Sequence, residues 1–170
     1  MALAKGRRTD AERAAEHCLV REFGCVICRR MKRPAGGGAQ SSPDGTKQYQ
    51  AWGGKVDIFH CDVVGKRADG SHVYTQATCG QVEAVRQRRR KLETIPWHES
   101  DTVLVLQLVE TPDPAHRSRL MYHFRVHEYG GGKWKVANEA ISVPRVWFKA
   151  LREEDLPKPG PPKPEGPSLF

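Results

Sequence analysis

Glu12, Asp62 and the run Gln76-Ala77-Thr78 are the residues of this chain whose types and order best suit chemistry. A basic stretch, Arg86, Arg88, Arg89, Arg90 and Lys91, follows them closely. Carboxylate, amide and main-chain oxygens are hard donors of the kind Mg²⁺ takes, usually one or two carboxylates with several retained waters. Glu12, Asp62, the Gln76 side-chain oxygen and the Ala77 carbonyl make a candidate shell of that type. Beside a cationic surface such an ion suits phosphodiester hydrolysis. It neutralises charge in the transition state and makes a water nucleophilic, and a neighbouring side-chain cation adds to the first effect.

Each residue also has a plainer reading. Thr9-x-x-Glu12 has the spacing of a capping box, in which Glu12 only satisfies a helix N-terminus. Asp62 is flanked by Cys61, Val63 and Val64, and a carboxylate in an apolar strand is costly unless paired or metal-bound. Gln76 by itself is uninformative, and Arg86 to Lys91 can be a solvated helix face.

The elements that must position these groups follow from periodicity. Ala11, Ala14, Ala15, Cys18 and Leu19 recur on one face of a helix expected over Thr9–Phe23, with Gly24 ending it. Cys25 to Cys28 is a short strand candidate. Arg29 to Gly54 is basic and then rich in Gly, Ser and Pro, the composition of a long mobile loop. Val56–Gly65 and Val73–Cys79 read as a hairpin around Ala68-Asp69-Gly70. With Arg67 facing Ser71, that register sets Asp62 opposite Gln76 on one sheet face, with Thr78 two positions on. Asp57, the other candidate, would fall near residue 81, beyond the strand; His60 would face Thr78. Gln81–Glu93 is a basic helix. Thr102–Glu110 is nearly all apolar, as a strand buried on both faces must be. Ser118–Glu128 and Lys133–Ala137 are further strands, and Val143–Leu151 an amphipathic closing helix. The order predicts an α/β domain with a mixed central sheet flanked by helices over residues 1–155, and a Pro-rich, disordered tail over 156–170.

Composition narrows the partners. The 170 residues carry 28 Lys and Arg against 20 Asp and Glu, a formal charge of +8 with a pI near 9.4, which favours polyanions and chiefly nucleic acid. The odd number of cysteines, 5, argues against a disulfide framework and for a reducing compartment. Cys25-x-x-Cys28 has the spacing of half a zinc site, but no second pair follows. No apolar run approaches the roughly 20 residues that span a bilayer, and the N-terminus lacks a signal-peptide core. A cytoplasmic protein, nucleoid-associated or phage-encoded, with no membrane partner is expected.

Lys5-Gly6-Arg7-Arg8 with Glu12-Arg13, then Trp52 to Asp57, Asp62-Val63, Gln76-Ala77-Thr78, Arg86 and Arg89-Arg90-Lys91-Leu92 carry a resemblance. Over residues 5 to about 108 the chain resembles Holliday-junction resolvases of archaeal and phage type, within the PD-(D/E)xK nuclease superfamily. The resemblance implies a restriction-endonuclease-like fold and a Mg²⁺-dependent (Mn²⁺ as substitute) endodeoxyribonuclease. Glu12, Asp62 and Gln76 would be metal ligands, and the partner a branched or four-way DNA junction met by a homodimer. Two positions depart from the pattern: Gln76 replaces an acid, and Thr78 stands where a lysine is expected. Lys91 or Arg86 would then supply the cation, with Lys5, Arg7, Arg8, Arg29, Arg30, Arg33, Arg86 and Arg89 as phosphate contacts. A non-catalytic nucleic-acid-binding protein on the same fold is the alternative; nicked, flapped or mismatched duplex are other possible targets.

Overall fold

The alanine-rich stripe at the N-terminus becomes a helix laid close on a sheet. The structure is a computed structural model, and it describes residues 6–30, 39–41, 48–50 and 58–158. Helix α1 spans Gly6–Arg21. Its Ala11, Ala14, Ala15, Cys18 and Leu19 are fully buried, the stripe that periodicity predicts, and their small side chains let the helix backbone sit near the strands. Because α1 already runs from Gly6, Thr9 lies within it and cannot cap it, so Glu12 has no capping-box role.

Strand β1 is Cys25–Arg30. Segments β2, Ala39–Ser41, and β3, Gln48–Gln50, form a separate antiparallel ribbon, so two pieces of the expected 30–54 loop are paired. Ile58–His60 is a 3-10 turn with Phe59 at φ 55° and His60 at φ 60°. Strand β4, Val63–Arg67, therefore starts later than the expected Val56. Two residues in the left-handed region break the extended chain, and His60 does not join the ladder opposite Thr78.

The hairpin register holds. β5 is His72–Thr78, Arg67 N–H donates to Ser71 O at 2.9 Å, and Gly70 takes the left-handed position at φ 88°. Val63 pairs with Thr75, so Asp62 stands opposite Gln76. Helix α2, Val82–Glu93, crosses over to β6, Thr102–Pro112, which runs parallel to β5. β7, Leu120–Gly130, pairs antiparallel with β6. β8, Lys133–Val136, and β9, Ile141–Ser142, both add to β7. The expected C-terminal helix is instead a 3-10 turn, Arg145–Phe148, opened by Pro144.

These strands make one mixed sheet in the order β1-β4-β5-β6-β7-β8 with β9 beside β7. α1 covers one face over Val63, Val73, Ala77, Leu104, Leu106 and Phe124. α2 covers part of the other over Cys61, Tyr74, Val103 and Val105. An α/β architecture with a mixed sheet is what the sequence order predicts. No described helix is long and apolar enough to cross a membrane.

Candidate functional site

Asp62 sits one residue before β4, at the end of the sheet where β5 stops, and is only 6% exposed. Its N–H donates to Thr75 O at 2.9 Å. Its Oδ2 accepts the Ala77 N–H at 3.2 Å. Ala77 has no β4 residue beside it, so the carboxylate serves as the ladder acceptor that the missing strand would have provided. That fixes Asp62 in the plane of the sheet.

Glu12 approaches from α1, its side chain 17% exposed. The two carboxylates meet at one cation: Arg8 donates through Nε to Glu12 Oε1 at 3.2 Å and through Nη2 to Asp62 Oδ1 at 3.4 Å. Burial pushes the Glu12 carboxyl above its ordinary value, and the charge of Asp62 adds to this, while Arg8 and Arg30 oppose it. Burial likewise raises Glu16, against Arg30, whose backbone N–H donates to Glu16 Oε1 at 3.1 Å. Arg30 pairs with Val63 across β1–β4 while the neighbouring Arg29 pairs with Val64, so alternation sends Arg30 toward α1 and the exposed Arg29 to the other face.

By the same alternation Gln76 and Thr78 share the face of Tyr74, toward α2. Gln76 is buried and its amide makes no hydrogen bond among the described residues. Thr78 does not substitute for a cation. Its Oγ1 accepts the Gly80 N–H at 3.0 Å, turning the chain into α2, and a Cβ on Gly80 would meet Ala84 Cβ at 2.6 Å.

The cation that α2 turns toward the carboxylates is Arg88. It lies between the buried Val85 and Leu92, three residues from one and four from the other. Burial lowers its pKa, and the charge of Asp62, with a smaller share from Glu12, holds it up. Its Nε is buried with no hydrogen-bond partner among the described residues. Lys91 and Arg86 are exposed, and Arg86 pairs with Glu83 at 2.9 Å. The spacing Val85-x-x-Arg88-x-x-x-Leu92 carried this signal, because residues three and four apart share a helix face.

Arg89 faces elsewhere. It donates to His127 Nδ1 and lies over the Trp134 ring, 5.4 Å from the centroid. His127 Nε2 bonds Gln107 Oε1 at 3.4 Å, and Gln107 Nε2 donates to Gly80 O at 3.1 Å. With its proton on Nε2, a neutral His127 satisfies the whole chain of bonds. Lys5, Arg33 and Asp57 lie outside the described residues, and of Arg7 only the backbone, within α1, is described.

The donor set fits a hard divalent cation. Two largely buried carboxylates already point at one cationic group, while the Gln76 amide, opposite Asp62 in the register, faces α2 rather than α1 and Glu12. Among the described residues no three His, Cys, Asp or Glu side chains converge, so the Ala77 carbonyl and water would have to complete the shell around the two carboxylates, with Gln76 joining only from the α2 side. Mg²⁺ tolerates several retained waters. Compared with known proteins, the chain matches no family model, no curated protein and no solved structure.

Proposed function

We propose that the protein is a Mg²⁺-dependent, structure-selective DNA endonuclease of the restriction-endonuclease-like fold, most similar in kind to Holliday-junction resolvases. The observation that carries this reading is the meeting of Glu12 and Asp62 at one guanidinium, beside Gln76-Ala77-Thr78 and under Arg88. A helix carboxylate, an Asp at the head of one strand and an oxygen donor on the next is the succession on which the resemblance rests.

A bound Mg²⁺ would supply Lewis-acid stabilisation of the phosphoryl oxygens and an activated water. Glu12 and Asp62 would hold it. Asp62 is rigid because its second oxygen is tied to the Ala77 amide, and burial keeps both carboxylates short of competing water. Arg88, short of a partner at Nε, would meet charge developing on the phosphate. Arg29, Arg86, Arg90 and Lys91 are exposed and would contact phosphates without reading bases, which suits recognition of DNA shape. Paired cuts across a four-way junction call for two copies related by a two-fold axis.

A second reading has its own support. Thr78 spends its hydroxyl on the start of α2, and Arg8 ties both carboxylates in one ion-pair bridge, the arrangement of a fold that binds DNA without cutting it. Labelled four-way junction and linear duplex of equal sequence, in Mg²⁺, Mn²⁺ and EDTA, separate the two. Paired metal-dependent nicks confined to the junction are expected; tight binding with no nicks in either metal would favour the binding protein.

A further inference from the structure

We infer that Arg8 is an exchangeable counter-ion of this site. It bridges Glu12 and Asp62 while the metal is absent, and passes to a DNA phosphate when a divalent ion takes its place. The inference rests on the nuclease reading and adds a role for one side chain in it.

Three observations carry it. First, one guanidinium serves both carboxylates, at 3.2 Å to Glu12 Oε1 and 3.4 Å to Asp62 Oδ1. It therefore holds the position toward which an ion shared by the two would be drawn. The second contact is long for a charge-assisted bond, so its release costs little. Second, the surroundings are unequal. The carboxylates are 17% and 7% exposed at their side chains, but Arg8 is 43% exposed. Its stem reaches in from solvent near the N-terminus of α1, and rotamer changes alone carry its head group back out. Third, without Arg8 two largely enclosed carboxylates would be left close together with no counter-charge from the helix, and buried charges are costly unless paired. Some cation has to be present, and Arg8 supplies it without leaving the chain.

A divalent ion entering between two carboxylates brings two positive charges where Arg8 withdraws one, so the pair becomes fully neutralised, and the freed guanidinium can fork onto phosphate oxygens. Arg8 is a positioning residue in the metal-free state and a phosphate contact in the loaded complex. Metal and Arg8 compete for the same oxygens, so removing Arg8 must tighten metal binding while weakening the empty fold. An ordinary structural ion pair would leave junction binding in the metal-loaded complex unchanged on its removal, whereas an exchanged Arg8 contributes to it.

Mn²⁺ binding by titration calorimetry and electron paramagnetic resonance, with melting temperature in EDTA, distinguishes these cases. The proteins compared would be wild type, Arg8→Gln, Arg8→Lys and Asp62→Asn, with Arg152→Gln as a remote control. For Arg8→Gln the expected result is a lower melting temperature in EDTA together with about tenfold tighter Mn²⁺, the scale of one charge-assisted hydrogen bond. Junction binding in Ca²⁺ should weaken. Arg8→Lys, which keeps the charge but loses the fork, should fall between. Mn²⁺ affinity unchanged or weaker in both Arg8 variants, while Asp62→Asn abolishes binding, would overturn the exchange and leave the metal site standing. Equal Mn²⁺ binding by wild type and Asp62→Asn would overturn the nuclease reading itself.

Discussion

At the scale of single residues, Asp62 is defined by two bonds made in different directions. One oxygen completes the β5 ladder and the other takes a charge. The first role accounts for a carboxylate inside an apolar stretch; the second leaves it able to act. Gln76 and Thr78 depart from the acid and lysine that such a site would lead one to expect, and they have different fates. Gln76 stands opposite Asp62 in the ladder with its buried side chain toward α2, whereas Thr78 is committed to the β5–α2 turn. On the proposed nuclease reading, the described cation best placed to supply the charge is Arg88. Arg88→Gln is expected to lower junction cleavage by about 10²–10³, the usual effect of removing one preorganised charge partner, with junction binding little changed. Lys91→Ala should cleave at close to the wild-type rate. Single-turnover rates on the same junction check both, and the reverse ranking would return the role to Lys91.

At the scale of elements, the polar chain from Arg89 through His127 and Gln107 to Gly80 ties α2, β7 and β6 to the turn that starts α2. Burial first, then the charges of Arg89 and Arg125, lower His127 from 6.5 to about 4. A lowered folded pKa means that the unfolded chain takes up the proton more readily. The stabilisation is thus complete above pH 6.5 and is lost as pH falls toward about 4. His127→Gln keeps a neutral donor and acceptor, so its melting temperature should decline less than that of wild type over this window. Parallel curves would mean that His127 is not the neutral link. Much at this scale was legible in the sequence. The α1 stripe, the hairpin register that brings Asp62 to Gln76, and the buried strand β6 all follow from periods of 3.6 and 2. The late start of β4 was not legible, because two non-glycine residues with positive φ leave no compositional mark. Nor was the loss of the closing helix, where Pro144 and the packing of Trp147 against α1 outweigh an amphipathic pattern. Arg88 is masked in the sequence by its neighbours: a run of four cations hides which one falls between Val85 and Leu92.

At the scale of the whole molecule, a formal charge of +8 sits on an α/β sheet flanked by helices. The carboxylates lie at the terminus of the sheet, with Arg29 on the edge strand β1, and Arg86, Arg90 and Lys91 on α2. If these meet a junction through phosphates, affinity must fall steeply with salt, by about 0.9 in log–log slope for each contact. Junction binding in Ca²⁺ should give a slope on the order of −4 to −6. A slope near zero between low and moderate salt would mean that the basic surface is not the contact.

The most direct measurement is cleavage of a four-way junction by Asp62→Asn beside wild type, in Mg²⁺ and Mn²⁺, with junction affinity and melting temperature measured on the same preparations. Asparagine keeps one oxygen for the Ala77 amide and loses the charge. Cleavage should therefore disappear in both metals while binding and melting stay close to wild type. Cleavage at the wild-type rate in a folded, junction-binding Asp62→Asn protein would contradict the account, because no other described side chain can hold that place at the end of the sheet.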